Sequence, residues 1–260
     1  MYRNNSVAVV IPAFNEESHI FETVCSVPGY VDRILVVDDA STDATSNKLR
    51  FVKRKGLEVI RHRANGGVGG AILTGYRRAL CLNVQLVAVM AGDNQMDPED
   101  LSALLDACIQ QDIDYAKGNR FLKREVWKLM PKDRLLGNIV LSWLTKLATG
   151  YHHIFDSQCG YTVIRRDALL RLDLKTVHEG YGYCNDLLGH LKLAGVSVED
   201  VPVRTIYGEE TSGINIKTVF HPIASVLLRV WTRRLLAEKL SPECEKPCSV
   251  LEPEHKCANR

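Results

Sequence analysis

Short apolar segments alternate with longer amphipathic segments along the first 117 residues of this chain. The apolar segments have the length and β-branched content of buried strands, and they cover residues 7–11, 34–37, 57–60, 86–90 and 115–117. Helical patterning fills the intervals at residues 16–27, 44–55, 70–82 and 99–110. Strands that alternate with helices build a parallel sheet, and right-handed crossovers place the helices on both of its faces. We therefore expect an α/β fold with a mostly parallel central sheet.

The rest of the chain is less regular. Its patterns predict helices at 134–149 and 184–194 and strands at 161–165 and 198–203. We expect one domain over residues 1–215 and an amphipathic basic helix at 216–240. Residues 241–260 lack periodicity and are rich in Pro, Glu and Lys, so we expect a disordered tail.

Composition narrows the class of protein. The net charge of +2 is too small to favour a nucleic-acid partner. No apolar run reaches the length of a membrane-spanning helix, and the N-terminal run is too short for a signal peptide. Cysteines occur singly within the domain, which is typical of reduced thiols. These features favour a cytoplasmic protein.

The loops that follow the strands narrow the choice among α/β folds, because ligands bind at the carboxyl ends of parallel strands. The first strand is followed by PAFNEE, which lacks the glycine fingerprint of a dinucleotide site. The third is followed by GGVGG without the Gly-Lys-Ser/Thr of a P-loop. These glycines instead allow a loop backbone to approach a ligand or a strand closely.

Residues 86–100, LVAVMAGDNQMDPED, run from a buried strand into a cluster of acids. The carboxylates of Asp93 and Asp97 and the amide oxygen of Gln95 suit Mg²⁺ or Mn²⁺, especially an ion that carries a diphosphate. Asp97 and Pro98 also form the pattern of a helix N-cap followed by proline, and we favour that reading for Asp97. Asp93 and Gln95 remain as predicted metal ligands.

Seven segments occur in an order and spacing that resemble one family: VVIPAFNEE, ILVVDDASTDAT, NGGVGGAILTGYRRAL, VMAGDNQMDPED, KGNRF, DSQCGYTVIRR and VPVRTIYGEE. They resemble the inverting family-2 glycosyltransferases of the GT-A fold, in particular the dolichyl- or polyprenyl-phosphate mannose and glucose synthases. The resemblance covers about residues 6–215. It implies a Rossmann-like domain that transfers a hexose from a nucleotide sugar to a polyprenyl phosphate with inversion. A UDP-hexose donor is favoured over GDP-mannose.

The resemblance also implies roles for individual residues. It assigns nucleotide-sugar binding to Pro12, Ala13, Asn15, Glu16, Asp38, Asp39, Gly67 and Asp93. It assigns acceptor phosphate binding to Arg120, Arg134, Asn138 and Arg204, whose guanidinium groups suit phosphates. Ala91 stands where the family's metal motif has its first Asp, so Asp93 and Gln95 match that motif only in part. Diphosphate oxygens and waters then complete the coordination of Mg²⁺ or Mn²⁺.

Asp186, in YGYCNDLL, resembles the acid that acts as base in relatives that glycosylate hydroxyls. An ionised phosphate attacks without a base, whereas a hydroxyl needs one. Asp186 is therefore a catalytic candidate beside Asp93, with an orienting group and an N-terminal helix acid as alternatives. Two other functions remain open: hexosyl transfer to a saccharide or protein hydroxyl, and a silent nucleotide-sugar-binding protein, which Ala91 allows.

Residues 216–239 carry apolar side chains at helical spacing, with Trp231 among them, and the basic residues Arg229, Arg233, Arg234 and Lys239. Such a helix suits an anionic membrane surface, or it closes the domain or forms a homo-oligomer seam. A lipid-phosphate acceptor favours the membrane. We therefore expect a peripheral protein on the cytosolic face of a membrane.

Overall fold

The computed structural model describes residues 1–124, 126–206 and 216–240. In this part of the chain seven strands form one sheet: β1 (Val7–Ala13), β2 (Arg33–Asp38), β3 (Leu57–Arg61), β4 (Leu86–Val89), β5 (Tyr115–Asn119), β6 (Thr162–Arg165) and β7 (Val198–Pro202). The α-helices here are α1 (Ile20–Ser26), α2 (Thr45–Arg50), α3 (Gly67–Cys81), α4 (Leu101–Gln110), α5 (Val126–Leu129), α6 (Lys132–Thr149), α7 (Arg166–Leu170), α8 (Tyr183–Leu193) and α9 (Ile216–Leu240). Residues 241–260, predicted to be a disordered tail, lie outside the described residues.

The strand order is β3-β2-β1-β4-β6-β5-β7. β1 pairs in parallel with β2 and β4, β2 with β3, and β5 with β7. Only β6 runs against its neighbours β4 and β5. The mostly parallel sheet predicted from the sequence is confirmed, and every predicted strand belongs to it.

Helices cover both faces of the sheet, as the sequence predicted. Val9 of β1 belongs to a core with Ile20 of α1 and Leu104 of α4, whereas its neighbour Val10 belongs to a second core with Leu73 of α3. Successive side chains of a strand point to opposite faces of the sheet. A run of apolar residues without interspersed polar ones therefore indicates a strand that is buried on both faces.

The chain moves outward from β1 through β2 to β3 and then returns to β4 on the other side of β1. A crevice forms beyond the carboxyl ends of the strands at such a switch point. The loops after β1, β2 and β4 meet there, and the ends of these strands and their loops carry eight of the fourteen predicted site residues.

The predicted helix over 16–27 begins only at Ile20. The backbone N–H groups of Asn15 and Glu16 donate instead to the hydroxyls of Ser41 and Thr45, at 3.0 and 2.8 Å. These donors therefore bind the loop after β2 rather than a helix. The contact depends on residues distant in the chain, so local patterning could not reveal it.

The last helix, α9, packs on the domain. Ile223, Val226, Leu227 and Val230 form an apolar cluster with Ala148 of α6. A Cβ at Gly189 of α8 would lie 2.7 Å from Cγ1 of Val230, so α8 and α9 touch closely. Within the described residues, no helix combines the length and hydropathy that a bilayer crossing requires.

Candidate functional site

A cavity of about 440 Å³ occupies the crevice at the switch point. We call it the donor cavity, and its volume is typical of small-molecule sites. Six of the eight predicted nucleotide-sugar residues line it: Pro12, Ala13, Glu16, Asp39, Gly67 and Asp93. Residues separated by 80 positions in the sequence thus meet at one edge of the sheet.

Asp39 fixes the glycine loop that forms one wall of the donor cavity. Its carboxylate accepts from the backbone N–H groups of Gly66 and Gly67, at 2.9 and 2.8 Å. His62 Nδ1 lies 2.6 Å from the same carboxylate. Gly67 has a φ of +83°, and a Cβ there would lie 2.9 Å from the carbonyl oxygen of Glu179. A glycine is therefore required at this position.

Asn15 and Asp38 do not line either cavity described here. The side-chain oxygen of Asn15 accepts from the Thr42 N–H at 2.9 Å, and that of Asp38 accepts from the Ser41 N–H at 2.9 Å. Burial raises the pKa of Asp38, but hydrogen bonds from Ser41 and Ser46 outweigh it and leave the pKa below its usual value. Both residues shape the turn beneath the donor cavity.

A second cavity, of about 150 Å³, lies beside the first. We call it the acceptor cavity. Asp93 lines both cavities, and Gln95, Arg120 and Arg204 line the acceptor cavity. The two cavities therefore meet at Asp93, which lies between the donor cavity and a pair of arginines.

The predicted metal ligands are adjacent in space. Asp93 and Gln95 both line the acceptor cavity, and the Asp93 carboxylate accepts from the Gln95 N–H at 3.1 Å. No three His, Cys, Asp or Glu side chains converge as a preformed metal centre in the described residues. Two oxygen-bearing side chains fit an ion such as Mg²⁺ that keeps waters and substrate oxygens as its other ligands.

Arg120 lies at the base of the acceptor cavity in a buried ion pair. Its Nε and Nη2 donate to the two oxygens of Asp156, at 2.8 and 2.7 Å. Asp156 is inaccessible to solvent. Burial raises the pKa of Asp156, but the Arg120 hydrogen bonds and the charges of Arg120 and Lys117 outweigh it and lower the pKa. The guanidinium plane is thereby fixed.

Arg204 lies among three acids. Its guanidinium lies 2.9 Å from Asp100, 3.1 Å from Asp97 and 3.2 Å from Glu99. The Asp97 carboxylate also caps the helical turn of Pro98–Asp100 by accepting from the Glu99 N–H at 3.0 Å, which confirms the N-cap predicted for Asp97. Three acids therefore hold Arg204 at the cavity that Asp93 also lines.

The other two predicted acceptor residues lie on α6. Asn138 is half-buried, and its Nδ2 lies 3.6 Å from the sulfur of Met130, outside the residues that line the acceptor cavity. Arg134 belongs to the helix, and its side chain lies outside the part of the chain that the structure describes. The structure thus brings Arg120 and Arg204 together but not Asn138.

Asp186 lies on α8 beneath the site. It is inaccessible to solvent and lines neither cavity. Its carboxylate accepts from the His178 N–H at 2.8 Å and lies 3.1 and 3.3 Å from Arg229 and Arg233 of α9. Burial raises the pKa of Asp186, but hydrogen bonds from His190 and His178 and the charge of Arg229 outweigh it and lower the pKa.

The structure adds residues that the sequence did not single out. Phe14, Val68, Gly180 and Tyr181 line the donor cavity, and Gln158 and Tyr161 line the acceptor cavity. Phe14 lies within PAFNEE, and Gln158 and Tyr161 lie within DSQCGY. Both segments belong to the motifs that carry the family resemblance. Tyr181 begins the segment YGYCNDLL, which was noted for Asp186 and not for the cavity, because the packing of the 178–182 loop on α3 brings Tyr181 there.

An α/β sheet with a crevice at its switch point, acids after β2 and β4 and arginines beyond them has the layout of an α/β enzyme that binds its ligand at the carboxyl ends of the strands. A model of "Glycosyl transferase family 2" matches residues 8–172. The chain belongs to this family and is a glycosyltransferase.

Curated relatives match most of the chain. A polyprenol monophosphomannose synthase of Mycolicibacterium smegmatis is 30% identical over 226 residues, which is 83% of this chain and 84% of the relative. A UDP-N-acetylglucosamine–dolichyl-phosphate N-acetylglucosaminyltransferase of Methanococcus voltae is 29% identical over 218 residues, 78% and 86% of the two chains. This family resemblance was predicted from the motifs and is confirmed.

Among solved structures, glucosyl-3-phosphoglycerate synthase of Mycobacterium tuberculosis superimposes with a TM-score of 0.64 at 18% identity. The match covers 88% of this chain and 79% of the other, whose structure holds Mn²⁺, UDP and phosphoglyceric acid. The GT-A fold predicted from the sequence is thereby confirmed.

Proposed function

We propose that this enzyme transfers a hexose from a nucleotide sugar to a polyprenyl phosphate with inversion at the anomeric carbon. The observation that carries the proposal is the position of Asp93, where the donor cavity meets the cavity that Arg120 and Arg204 line. The names of the relatives support a lipid-phosphate acceptor, since one names dolichyl phosphate and the other names a polyprenol monophosphomannose.

In this proposal the donor cavity binds the nucleotide. The exposed rings of Phe14 and Tyr181 offer apolar surfaces for a flat base. Carboxylates of Glu16 and Asp39 can accept hydrogen bonds from ribose hydroxyls and ring N–H groups. We favour UDP over GDP, because one curated relative is named for a UDP sugar and the superimposed structure holds UDP.

A divalent cation, Mg²⁺ or Mn²⁺, fits the charge of the site. Glu16, Asp39 and Asp93 line the donor cavity and none of the described residues that line it is Lys or Arg, so a diphosphate there would meet negative charge. Asp93 and Gln95 would hold the ion, which neutralises charge on the leaving nucleotide. The superimposed structure contains Mn²⁺ with UDP, which supports this choice.

Arg120 and Arg204 would orient the acceptor phosphate. Arg120 is held by Asp156 in one fixed plane, so it presents its charge to the cavity without losing rotational freedom on binding. A phosphate oxygen, already ionised near neutral pH, attacks the anomeric carbon on the face opposite the diphosphate. The C–O bond to the diphosphate breaks as the new C–O bond forms.

A hydroxyl acceptor with Asp186 as general base has weaker support. Asp186 is buried away from both cavities, and its lowered pKa opposes protonation at neutral pH. A nucleotide-sugar-binding protein without catalytic activity, which Ala91 suggested, would leave the arginines of the acceptor cavity without a role. Both alternatives are decided by the experiment that follows.

A matched pair of acceptors tests the proposal. A short-chain polyprenyl phosphate and the corresponding polyprenol are incubated with labelled UDP-glucose, UDP-N-acetylglucosamine or GDP-mannose and Mn²⁺. Label should pass to the phosphate and not to the alcohol, and the Asp93→Ala variant should give neither product. Transfer to the alcohol at a similar rate would overturn the proposal, as would absence of transfer from every donor.

A further inference from the structure

The helix α6 exposes one apolar stripe to solvent, while a second apolar set, Leu141, Leu144 and Ala148, and three polar side chains face the protein. Leu136, Val140, Trp143 and Leu147 recur at intervals of four, three and four residues and are 64%, 43%, 60% and 45% exposed. We call them the α6 face. Ser142, Thr145 and Thr149 point inward and are at most 3% exposed.

A surface helix usually buries its apolar stripe, whereas α6 exposes one in addition to the apolar residues that it buries. The inward polar groups are all satisfied. Ser142 Oγ accepts from the Ser157 N–H at 3.1 Å, and Thr145 Oγ1 accepts from Asn185 Nδ2 at 2.6 Å. The orientation of α6 is therefore fixed by hydrogen bonds, and no described side chain covers its outer face.

Tryptophan is concentrated around this helix. The chain has three tryptophans, and all are about half exposed: Trp127 at 50%, Trp143 at 60% and Trp231 at 45%. Tryptophan is ordinarily among the more buried residues of a soluble protein. Its amphipathic ring favours the boundary between lipid headgroups and acyl chains.

The other two tryptophans adjoin α6. Trp127 lies on α5 and packs on Phe121, in the cluster that includes Leu135 of α6. Trp231 stands on α9 between Leu227, which packs on Ala148, and Arg234, which donates to the Leu147 carbonyl at 2.9 Å. The exposed apolar surface therefore runs from α5 across α6 to α9.

We propose that the α6 face, flanked by Trp127 and Trp231, enters the headgroup region of an anionic lipid bilayer and presents the acceptor cavity to it. Positive charge beside the face supports this occupant, since Lys123 and Arg124 precede α5, Lys132 begins α6, and Arg124 and Lys132 are exposed. The inference rests on the proposed function, which makes the acceptor a lipid phosphate held in the bilayer.

The acceptor cavity adjoins the inner side of α6. Ser157, which donates to Ser142 on the inner side of α6, is followed directly by Gln158 and Cys159 of the cavity lining. A helix is about 10 Å across with its side chains. A phosphate at headgroup depth can therefore reach the cavity while its polyprenyl chain stays in the bilayer.

The basic residues of α9 contribute less to such a surface than the sequence suggested. Arg229 and Arg233 pair with the buried Asp186, and Arg234 pairs with Glu238 and the Leu147 carbonyl. Reversing their charge would disturb the domain itself. Substitutions on the α6 face are a cleaner test because those side chains are exposed.

The test uses the full chain and vesicles of phosphatidylcholine and phosphatidylglycerol. Val140→Ser combined with Trp143→Ser removes the apolar contact without adding charge. Val59→Ser combined with Phe51→Ser is the matched control, since these residues are 43% and 77% exposed on the nucleotide half. Thermal unfolding checks that both double variants fold.

The α6 variant should lower the vesicle partition coefficient by about tenfold or more, because two side chains of this size lose their apolar surroundings. The control should sediment with vesicles as the wild type does. The α6 variant should also retain transfer to a short soluble prenyl phosphate while losing transfer to a long-chain acceptor held in vesicles.

Unchanged sedimentation of the α6 variant would overturn the inference. So would a wild-type chain that ignores vesicles and forms a dimer that the α6 variant loses, because a second copy would then cover the face. Failure of the proposed function has a different signature: no prenyl phosphate accepts sugar from the wild type, while vesicle binding still depends on Val140 and Trp143.

Discussion

The carboxylate of Asp186 on α8 lies 3.1 Å from the guanidinium of Arg229 on α9. Its other oxygen accepts from the backbone N–H of His178 at 2.8 Å. His178 begins the loop whose Gly180 and Tyr181 line the donor cavity. Asp186 therefore ties the last helix to a wall of the donor cavity, which fits a positioning residue better than a base.

Replacing Asp186 with Asn tests that role. The variant should lose less than about 100-fold in turnover, because an ionised phosphate needs no proton abstraction. Its KM for the donor should rise more than its KM for the acceptor, since the 178–182 loop faces the nucleotide. A larger loss with a pH profile controlled by one group would instead indicate a general base and a hydroxyl acceptor.

The stability contributed by Asp186 should depend on pH. The folded pKa of Asp186 is lowered, so its ionised form stabilises the fold above the unfolded pKa of about 3.9, and this contribution is lost as pH falls through the folded value. At neutral pH Asp186→Asn should cost about 1 to 3 kcal/mol, because the side chains of Arg229 and Arg233 are 41% and 31% exposed and keep part of their hydration. Denaturant unfolding should show that the difference in unfolding free energy between the wild type and Asp186→Asn shrinks at acid pH. A difference that stays constant with pH would contradict the ion pair.

Much of the fold was predictable from the sequence because both faces of the central strands are buried. The runs at β1, β2 and β4 are continuously apolar, and each ends in a turn that carries polar residues. Helix boundaries were less predictable. The start of α1 depends on hydrogen bonds to Ser41 and Thr45, which no local pattern encodes.

The donor half of the site was more predictable than the acceptor half. Its residues lie at the end of a strand or directly after one, as Ala13 and Asp39 do. Their position in the sequence therefore predicts their position in the fold. The acceptor cavity depends on packing between distant segments. Asp156 and Asp100 lie within the segments DSQCGYTVIRR and VMAGDNQMDPED, but these motifs did not show that the two acids hold Arg120 and Arg204. Asn138 lies outside the cavity lining although its motif matched.

Asp93→Ala should abolish most transfer while leaving the fold intact. Asp93 is the acid shared by the two cavities, and loss of one preorganised electrostatic group costs about 100- to 1000-fold in rate. Rates with a Mn²⁺ titration measure the effect. Retention of more than about a tenth of the wild-type rate would refute the assignment. The converse variant, Ala91→Asp, should tighten the metal dependence.

Arg120→Ala should raise the KM for the acceptor phosphate much more than the KM for the donor. The same variant leaves the buried Asp156 without its partner, so it should also lower stability by about 3 kcal/mol or more. Arg165→Ala, which removes a surface pair with Asp112, is the control and should change neither constant. Equal rises in both KM values would show that Arg120 only maintains the fold.

The linkage and configuration of the product test the proposed reaction most directly. The enzyme, a UDP-hexose donor of α configuration and a short polyprenyl phosphate are incubated with Mn²⁺, and the product is examined by ¹H and ³¹P nuclear magnetic resonance. Attack by a phosphate oxygen opposite the leaving diphosphate predicts a β-linked sugar whose anomeric proton couples to phosphorus. An α-linked product, or a sugar bonded to a hydroxyl with no coupling to phosphorus, would contradict it.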